Sequence, residues 1–122
     1  MSSAKRTIAV VDDDARLLES LENLFESAGY VVRTFASAHA LLEAGLNDLD
    51  CLITDIGMPG MDGFQLREAV GRTHPKMPVF LVTGRHEIGA QRPAEVAASS
   101  GLFRKPIDGR LLLAAIEQTL ED

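Results

Sequence analysis

The chain has 122 residues, the length of one domain, and 46% of them are apolar, which suffices for a core without disulfides. A formal net charge of −6 argues against nucleic-acid binding by this domain, and no apolar run is long enough for a transmembrane helix. The single cysteine, Cys51, excludes an internal disulfide framework and is typical of a reducing compartment, so we expect a cytoplasmic protein.

We interpret residues 1–122 as a single domain, with a frayed leader over residues 1–6 and a folded core over residues 7–120. The leader contains basic residues but no long apolar stretch follows them, so it lacks the pattern of a signal peptide. No repeat, low-complexity tract or interior linker divides the sequence.

Strands and helices alternate from the start of the chain. A short apolar, β-branched run over Ile8–Val11 predicts a buried strand, and Asp14 is placed to cap the helix that follows. That helix has leucines at helical spacing and is predicted to end at Gly29. A second strand is predicted over Tyr30–Phe35, followed by a short helix capped by Ser37.

The alternation continues in the second half of the chain. Three further strands are predicted: Cys51–Thr54, Val79–Val82 and Leu102–Arg104. A turn-rich segment over residues 57–63 leads into a helix that must stop before Pro75. Asp108 is expected to cap the last helix.

These elements predict a doubly wound α/β fold. Strands that are continuous apolar runs, each followed by a helix, indicate a parallel sheet covered on both faces. With right-handed crossovers, five such units fit a flavodoxin-like (βα)5 three-layer sandwich whose strand order is 2-1-3-4-5.

Polar residues stand at the carboxyl ends of four of the predicted strands. Asp12 and Asp13 follow the first strand, Asp55 the third, Thr83 the fourth and Lys105 the fifth. Each residue alone has an ordinary explanation as a helix cap, a turn residue or an exposed lysine. In the predicted order these strands are neighbours, and ligands of open parallel sheets bind beyond the carboxyl ends, so we expect one site.

The expected site has the chemistry of phosphoryl transfer. Clustered carboxylates repel one another, and a hard divalent cation such as Mg²⁺ removes that cost while retaining waters that phosphoryl oxygens can replace. Asp55 is then a carboxylate nucleophile that can form an aspartyl phosphate. Lys105 supplies positive charge and Thr83 a hydroxyl donor for the phosphoryl oxygens.

Four stretches of the sequence resemble the CheY-like receiver domains of two-component response regulators, over essentially the whole chain. The stretches are Val10–Asp14, Thr54–Asp55 with Met58–Gly63, Val82–Gly84, and Lys105–Pro106. In this order and spacing they are highly specific to the family. The sequences of the strands and helices most resemble those of receivers that precede a helix-turn-helix DNA-binding domain.

The resemblance implies a set of metal ligands. Asp13, Asp55 and the backbone carbonyl of Gly57 are expected to bind Mg²⁺, with Asp12 acting mostly through water. Asp55 is the implied phosphoacceptor. The domain would then be a signalling switch that catalyses only its own phosphorylation and dephosphorylation.

The resemblance also implies partners. A sensor histidine kinase or a phosphotransfer protein would donate the phosphoryl group, which Thr83 and Lys105 would hold, and the Lys105–Pro106 bond would be cis. Homodimerisation on phosphorylation and a C-terminal DNA-binding domain in a longer native chain are both left open.

Two features depart from the family pattern. Receivers usually carry an aromatic switch residue three positions before the lysine, where this chain has Leu102. Phe103 lies one position later, and it could take that place only by a one-residue slip of the strand, which would turn every side chain to the opposite face. The second departure is Pro93, which stands where the family's fourth helix would already be running, although proline is tolerated only in a first helical turn. We therefore infer a long loop over residues 84–92 and a short or displaced helix over Pro93–Ser99, and we expect coupling through this loop and helix.

Two other functions compete with the receiver. A Mg²⁺-dependent aspartate-nucleophile phosphohydrolase would need Thr or Val at the position of Arg16 and would leave Asp55 unexplained. A pseudo-receiver that no longer takes phosphate would not need Asp55, Thr83 and Lys105 together, although the altered switch position keeps this reading open.

Overall fold

The predicted alternation is observed in a computed structural model, which describes residues 5–84 and 101–121. The strands are β1 (Thr7–Val11), β2 (Val31–Phe35), β3 (Cys51–Asp55), β4 (Val79–Thr83) and β5 (Leu102–Arg104). The helices in the described ranges are α1 (Ala15–Ser27), α2 (Ala38–Ala44), α3 (Gly63–Thr73) and α4 (Gly109–Glu121). The helix predicted over Pro93–Ser99, and the loop before it beyond Gly84, lie outside the described residues.

The strands form one parallel sheet in the order β2-β1-β3-β4-β5, which confirms the predicted topology. Buried side chains of alternate strand residues pack on opposite faces of the sheet, as the two-residue period of a strand requires. One face packs against α1 and α4 through residues that include Ile53, Phe80, Phe25 and Ile116. The other face packs against α2 and α3 through residues that include Leu52, Leu41, Leu66 and Val70.

Helix caps fix where the helices begin. The carboxylate of Asp14 accepts the backbone N–H groups of Arg16 and Leu17, and the Ser37 hydroxyl accepts that of Ala40. At the last helix, the Asp108 carboxylate accepts two N–H groups of the first turn, those of Arg110 and Leu111. All three predicted caps are therefore confirmed.

Most strand boundaries differ from the prediction by one residue at one end. Tyr30 was expected to open β2, but its N–H donates to the carbonyl of Phe25 and so completes the end of α1. Gly29, at φ +99°, makes the turn that permits this bond. At their carboxyl ends, β3 and β4 each extend one residue beyond the prediction. Asp55 is the last residue of β3 and pairs in register with Val82, and Thr83 is the last residue of β4 and pairs with Arg104.

Among residues 5–84 and 101–121, no helix is long and apolar enough to cross a bilayer.

Cys51 is fully buried at the start of the central strand, and this generates a prediction about its reactivity. Burial raises the pKa of the Cys51 thiol to about 12, so the nucleophilic thiolate is scarce at neutral pH. We expect a thiol reagent to modify the folded protein about 10³-fold or more slowly than the unfolded chain, since modification requires unfolding. Mass spectrometry of iodoacetamide-treated samples, with and without guanidinium chloride, measures the ratio. Rapid modification of the folded protein would contradict the buried position.

Candidate functional site

The residues expected at the site converge at the carboxyl edge of the sheet. Asp12 and Asp13 follow β1, Asp55 ends β3, Thr83 ends β4 and Lys105 follows β5. The backbone N–H of Lys105 donates to the carbonyl of Thr83 at 2.9 Å, so the parallel ladder continues up to the lysine. Asp12, Asp55 and Thr83 are buried, whereas Asp13 is exposed.

Three carboxylates form the centre of the site. Ligand oxygens of Asp12, Asp13 and Asp55 all lie within 4.8 Å of one another. Burial raises the pKa of Asp12, even though its Oδ1 accepts the N–H of Asp14 at 2.9 Å and Lys105 lies nearby. The site therefore concentrates negative charge where water can solvate it only partly.

Lys105 offsets this charge directly. Its Nζ lies 3.1 Å from Oδ2 of Asp12 and 3.6 Å from Oδ1 of Asp55. Burial alone lowers the pKa of Lys105, but the hydrogen bond and attraction of Asp12, together with Asp55, outweigh burial and raise that pKa overall. The lysine is therefore a cation that bridges two of the three carboxylates.

The donor set fits a hard divalent cation. The three side chains offer only carboxylate oxygens, which Mg²⁺ prefers, and they lie close enough to share an ion. The exposure of Asp13 leaves one side of the cluster open to the waters that Mg²⁺ retains. Gly57, expected to contribute its carbonyl, is an exposed residue two positions after Asp55 in the loop towards α3.

Thr83 stands beside this cluster on the neighbouring strand. The residue is fully buried, and its hydroxyl donates to the carbonyl of Gly84 at 3.1 Å. To donate to a phosphoryl oxygen, the hydroxyl would have to turn away from that carbonyl. The Lys105–Pro106 peptide bond that follows β5 is cis, as the resemblance implied.

The switch position carries a buried leucine. Leu102 packs with Ile56 and Leu81 on one face of the sheet. Phe103 points to the other face, where its ring centroid lies 6.1 Å from that of Phe80 in the core against α1 and α4. Phe103 therefore cannot replace Leu102 without leaving this core, which supports the argument that a strand slip is costly.

Sequence reasoning missed two features of the site. The first is the ion pair of Asp12 with Lys105, because Asp12 was expected to act mostly through water on a metal. The second is the start of α3, where Asp62 and Gln65 cap each other's backbone N–H groups at 2.8 and 2.9 Å. The Asp-x-x-Gln pattern before an apolar run was a readable signal for this capping box.

The ion pairs predict how stability changes when Lys105 is replaced. Lys105→Met leaves two buried carboxylates without their cation, which should lower the free energy of unfolding at neutral pH by about 1–3 kcal/mol. The pKa of Asp12, already raised by burial, should rise further. A carboxyl whose pKa is higher in the folded state costs stability as pH rises through that pKa, so the deficit should shrink as pH falls.

Urea unfolding of the wild type and the variant between neutral and mildly acidic pH measures this deficit. Lys76→Met, at an exposed lysine in the loop before β4, is the control and should change little. A deficit for Lys105→Met that is independent of pH would show that lost packing, rather than lost charge, is the cause.

The comparisons with known proteins agree with this geometry. Residues 8–117 match the model of the response regulator receiver domain. The chain is 33% identical over 114 residues to the transcriptional regulatory protein FixJ of Azorhizobium caulinodans, which covers 93% of this chain and 54% of FixJ. It is also 33% identical over 112 residues to the DNA-binding transcriptional regulator NtrC of Escherichia coli, covering 91% of this chain and 24% of NtrC. The chain thus spans about half, or less, of these curated relatives.

Solved structures show the same fold. The response regulator StyR is 37% identical with a TM-score of 0.79, covering 97% of this chain and 60% of StyR. A response regulator receiver domain protein from Clostridium thermocellum is 28% identical with a TM-score of 0.77, covering 95% and 94% of the two chains. These findings do not favour the phosphohydrolase or the pseudo-receiver. The chain belongs to the CheY-like receiver domains of two-component response regulators.

Proposed function

We propose that Asp55 is the phosphoacceptor of this receiver and takes its phosphoryl group from the phosphohistidine of a sensor histidine kinase or a phosphotransfer protein. The observation that carries the proposal is the position of the Asp55 carboxylate. It is buried at the end of the central strand, shares a 4.8 Å cluster with Asp12 and Asp13, and lies 3.6 Å from the Lys105 ammonium.

The proposed transfer is a displacement at phosphorus. An oxygen of Asp55 forms the new P–O bond while the P–N bond to the donor imidazole breaks, and the imidazole leaves with the electron pair. Lys105 would shift from Asp12 towards the incoming phosphoryl oxygens, and the Thr83 hydroxyl would donate to another of them. When bound, Mg²⁺ supplies positive charge that lets the carboxylates and the phosphoryl group approach one another.

Mg²⁺ is the metal that this proposal needs, held by Asp13, Asp55 and the carbonyl of Gly57. Asp12 is already paired with Lys105 and accepts the N–H of Asp14, which suits a ligand that reaches the metal through water. The reaction stays within the domain: the receiver promotes its own phosphorylation and dephosphorylation and acts on no other substrate.

We also propose that residues 1–122 make up one receiver domain of a cytoplasmic signalling protein. FixJ is described as a transcriptional regulator and NtrC as a DNA-binding one, and both are longer than this chain. By analogy, a longer native chain would carry a C-terminal DNA-binding output domain. Sedimentation of phosphorylated and unphosphorylated protein would show whether phosphorylation also pairs two copies.

Asp55→Asn tests the phosphoacceptor. The amide keeps the size of the carboxyl but is not a nucleophile, so we expect complete loss of acid-stable, base-labile phosphoryl label after incubation with acetyl phosphate and Mg²⁺. Intact-mass spectrometry and circular dichroism report labelling and folding. Asp50→Asn, which changes an aspartate at the opposite end of β3, is the control and should be labelled like the wild type. Labelling of well-folded Asp55→Asn at the wild-type level would refute the assignment.

Asp13→Asn tests the metal site. Loss of one carboxylate ligand should weaken Mg²⁺ binding by about tenfold or more, which is about 1.4 kcal/mol or more. The same change relieves repulsion, so the metal-free variant should unfold at a slightly higher temperature. Asp14→Asn is the matched control, because it removes the same charge one residue away while asparagine still caps α1. Equal Mg²⁺ affinity in the two variants would remove Asp13 from the ligand set.

A further inference from the structure

The first residue of α3 lies directly against the backbone of the proposed phosphoacceptor. A Cβ atom at Gly63 would stand 2.6 Å from the carbonyl oxygen of Asp55, 2.8 Å from the Cα of Ile56 and 3.1 Å from the carbonyl carbon of Asp55. These atoms belong to the main chain, so they cannot rotate away as the end of a side chain could. The start of α3 therefore contacts β3 at a distance that only glycine allows.

Ile56 is the residue through which this contact acts. Its N–H donates to the carbonyl of Val82 in β4 at 2.8 Å. Its carbonyl accepts the N–H of Gly63 at 3.0 Å and that of Met58 at 3.1 Å. Its side chain is buried against Leu81 and Leu102. The peptide groups on both sides of Ile56 are thus fixed by β4 on one side and by α3 on the other.

The neighbours of Ile56 in sequence are two of the three residues proposed to hold the metal. Asp55, which precedes it, carries the carboxylate that would accept phosphate, and Gly57, which follows it, carries the carbonyl expected at Mg²⁺. We propose that Gly63 is a positioning residue whose close packing on Ile56 sets the separation of these two ligands. This inference rests on the proposed roles of Asp55 and Gly57.

The start of α3 is rigid enough to have this effect. Reciprocal capping by Asp62 and Gln65 fixes the first turn, and Leu66 and Val70 hold the helix in the core with no exposed area. A side chain at position 63 therefore pushes against the end of β3 rather than swinging the helix aside. The expected effect is a displaced metal site on a folded domain.

Gly63→Ala is the test, with two controls in the same helix. Gly71→Ala also places a methyl group on a glycine of α3, but nothing lies within 4 Å of that position. Leu66→Ala destabilises α3 from its buried face without adding an atom near Asp55 or Ile56. Mg²⁺ affinity is measured by NMR titration, the chemical shifts of Ile56 and Gly57 are compared in metal-free protein, and unfolding by urea reports stability.

We expect Gly63→Ala to weaken Mg²⁺ binding by about tenfold or more, the usual effect of losing a residue that orients a metal ligand. Its Ile56 and Gly57 amides should shift without metal, whereas Leu66→Ala should lose stability with little change in Mg²⁺ affinity. Wild-type affinity in folded Gly63→Ala, or an equal loss of affinity in Leu66→Ala, would overturn the positioning role. Absence of Mg²⁺ binding in the wild type would instead refute the proposed function, and this inference with it.

A measurement on the wild type covers the case in which Gly63→Ala does not fold. If the Gly63–Ile56 hydrogen bond positions the metal ligands, bound Mg²⁺ must stabilise that bond in return. Hydrogen exchange of the Gly63 amide should then slow on addition of Mg²⁺, while that of the His74 amide at the far end of α3 should not. Equal rates at Gly63 with and without Mg²⁺ would overturn the proposal.

Discussion

Three carboxylates of like charge lie within 4.8 Å of one another at the carboxyl edge of the sheet, and two of them are buried. Their mutual repulsion and lost hydration oppose folding, and the rest of the site is arranged around that cost. Lys105 lies between Asp12 and Asp55 and offsets part of this cost. The same imbalance favours a divalent cation at this cluster, and under the proposed function that cation and Lys105 would together offset the negative charge of a phosphoryl group.

The parallel sheet is what brings these groups together. Asp12 and Lys105 are 93 positions apart in sequence and come into contact at 3.1 Å because all the parallel strands end at the same edge of the sheet, although β3 and β4 lie between β1 and β5. Cores on both faces hold the strand ends in register, with Leu102 committed to one face and Phe103 to the other. A signal that reaches β5 through Leu102 must therefore be transmitted by packing alone, since this side chain has no hydrogen-bonding group.

Within the residues that the structure describes, apolar periodicity and caps were enough to predict the order of the elements, and the common doubly wound topology supplied the strand order. That topology also placed the polar residues that follow the strands at one edge of the sheet, while their roles there remain part of the proposal. These signals are local: Asp14, Ser37 and Asp108 cap the helices that they precede, and the apolar runs mark the strands. The predicted last residues of β3 and β4 were Thr54 and Val82, because a polar residue after an apolar run resembles the start of a loop. The structure extends both strands by one residue, Asp55 and Thr83, and buries each.

Contacts between distant parts of the chain could not be predicted in this way. The ion pair of Asp12 and Lys105 depends on how far each side chain reaches over the ends of β3 and β4, which separate β1 from β5. Gly63 appears in sequence only as a turn glycine, and its distance to the Ile56 main chain emerges when α3 is packed on the sheet. Both cases involve atomic separations below 4 Å, which a pattern of residue types does not specify.

A structure of the domain with Mg²⁺ and beryllofluoride, a stable mimic of the phosphoryl group, tests the central claim most directly. The account predicts beryllium on an Asp55 oxygen and Mg²⁺ at about 2.1 Å from oxygens of Asp13, Asp55 and the Gly57 carbonyl. It also predicts that the Lys105 ammonium has left Asp12 for a fluorine of the mimic. Beryllofluoride bound to another residue, or Lys105 still paired with Asp12 beside an occupied Asp55, would contradict it.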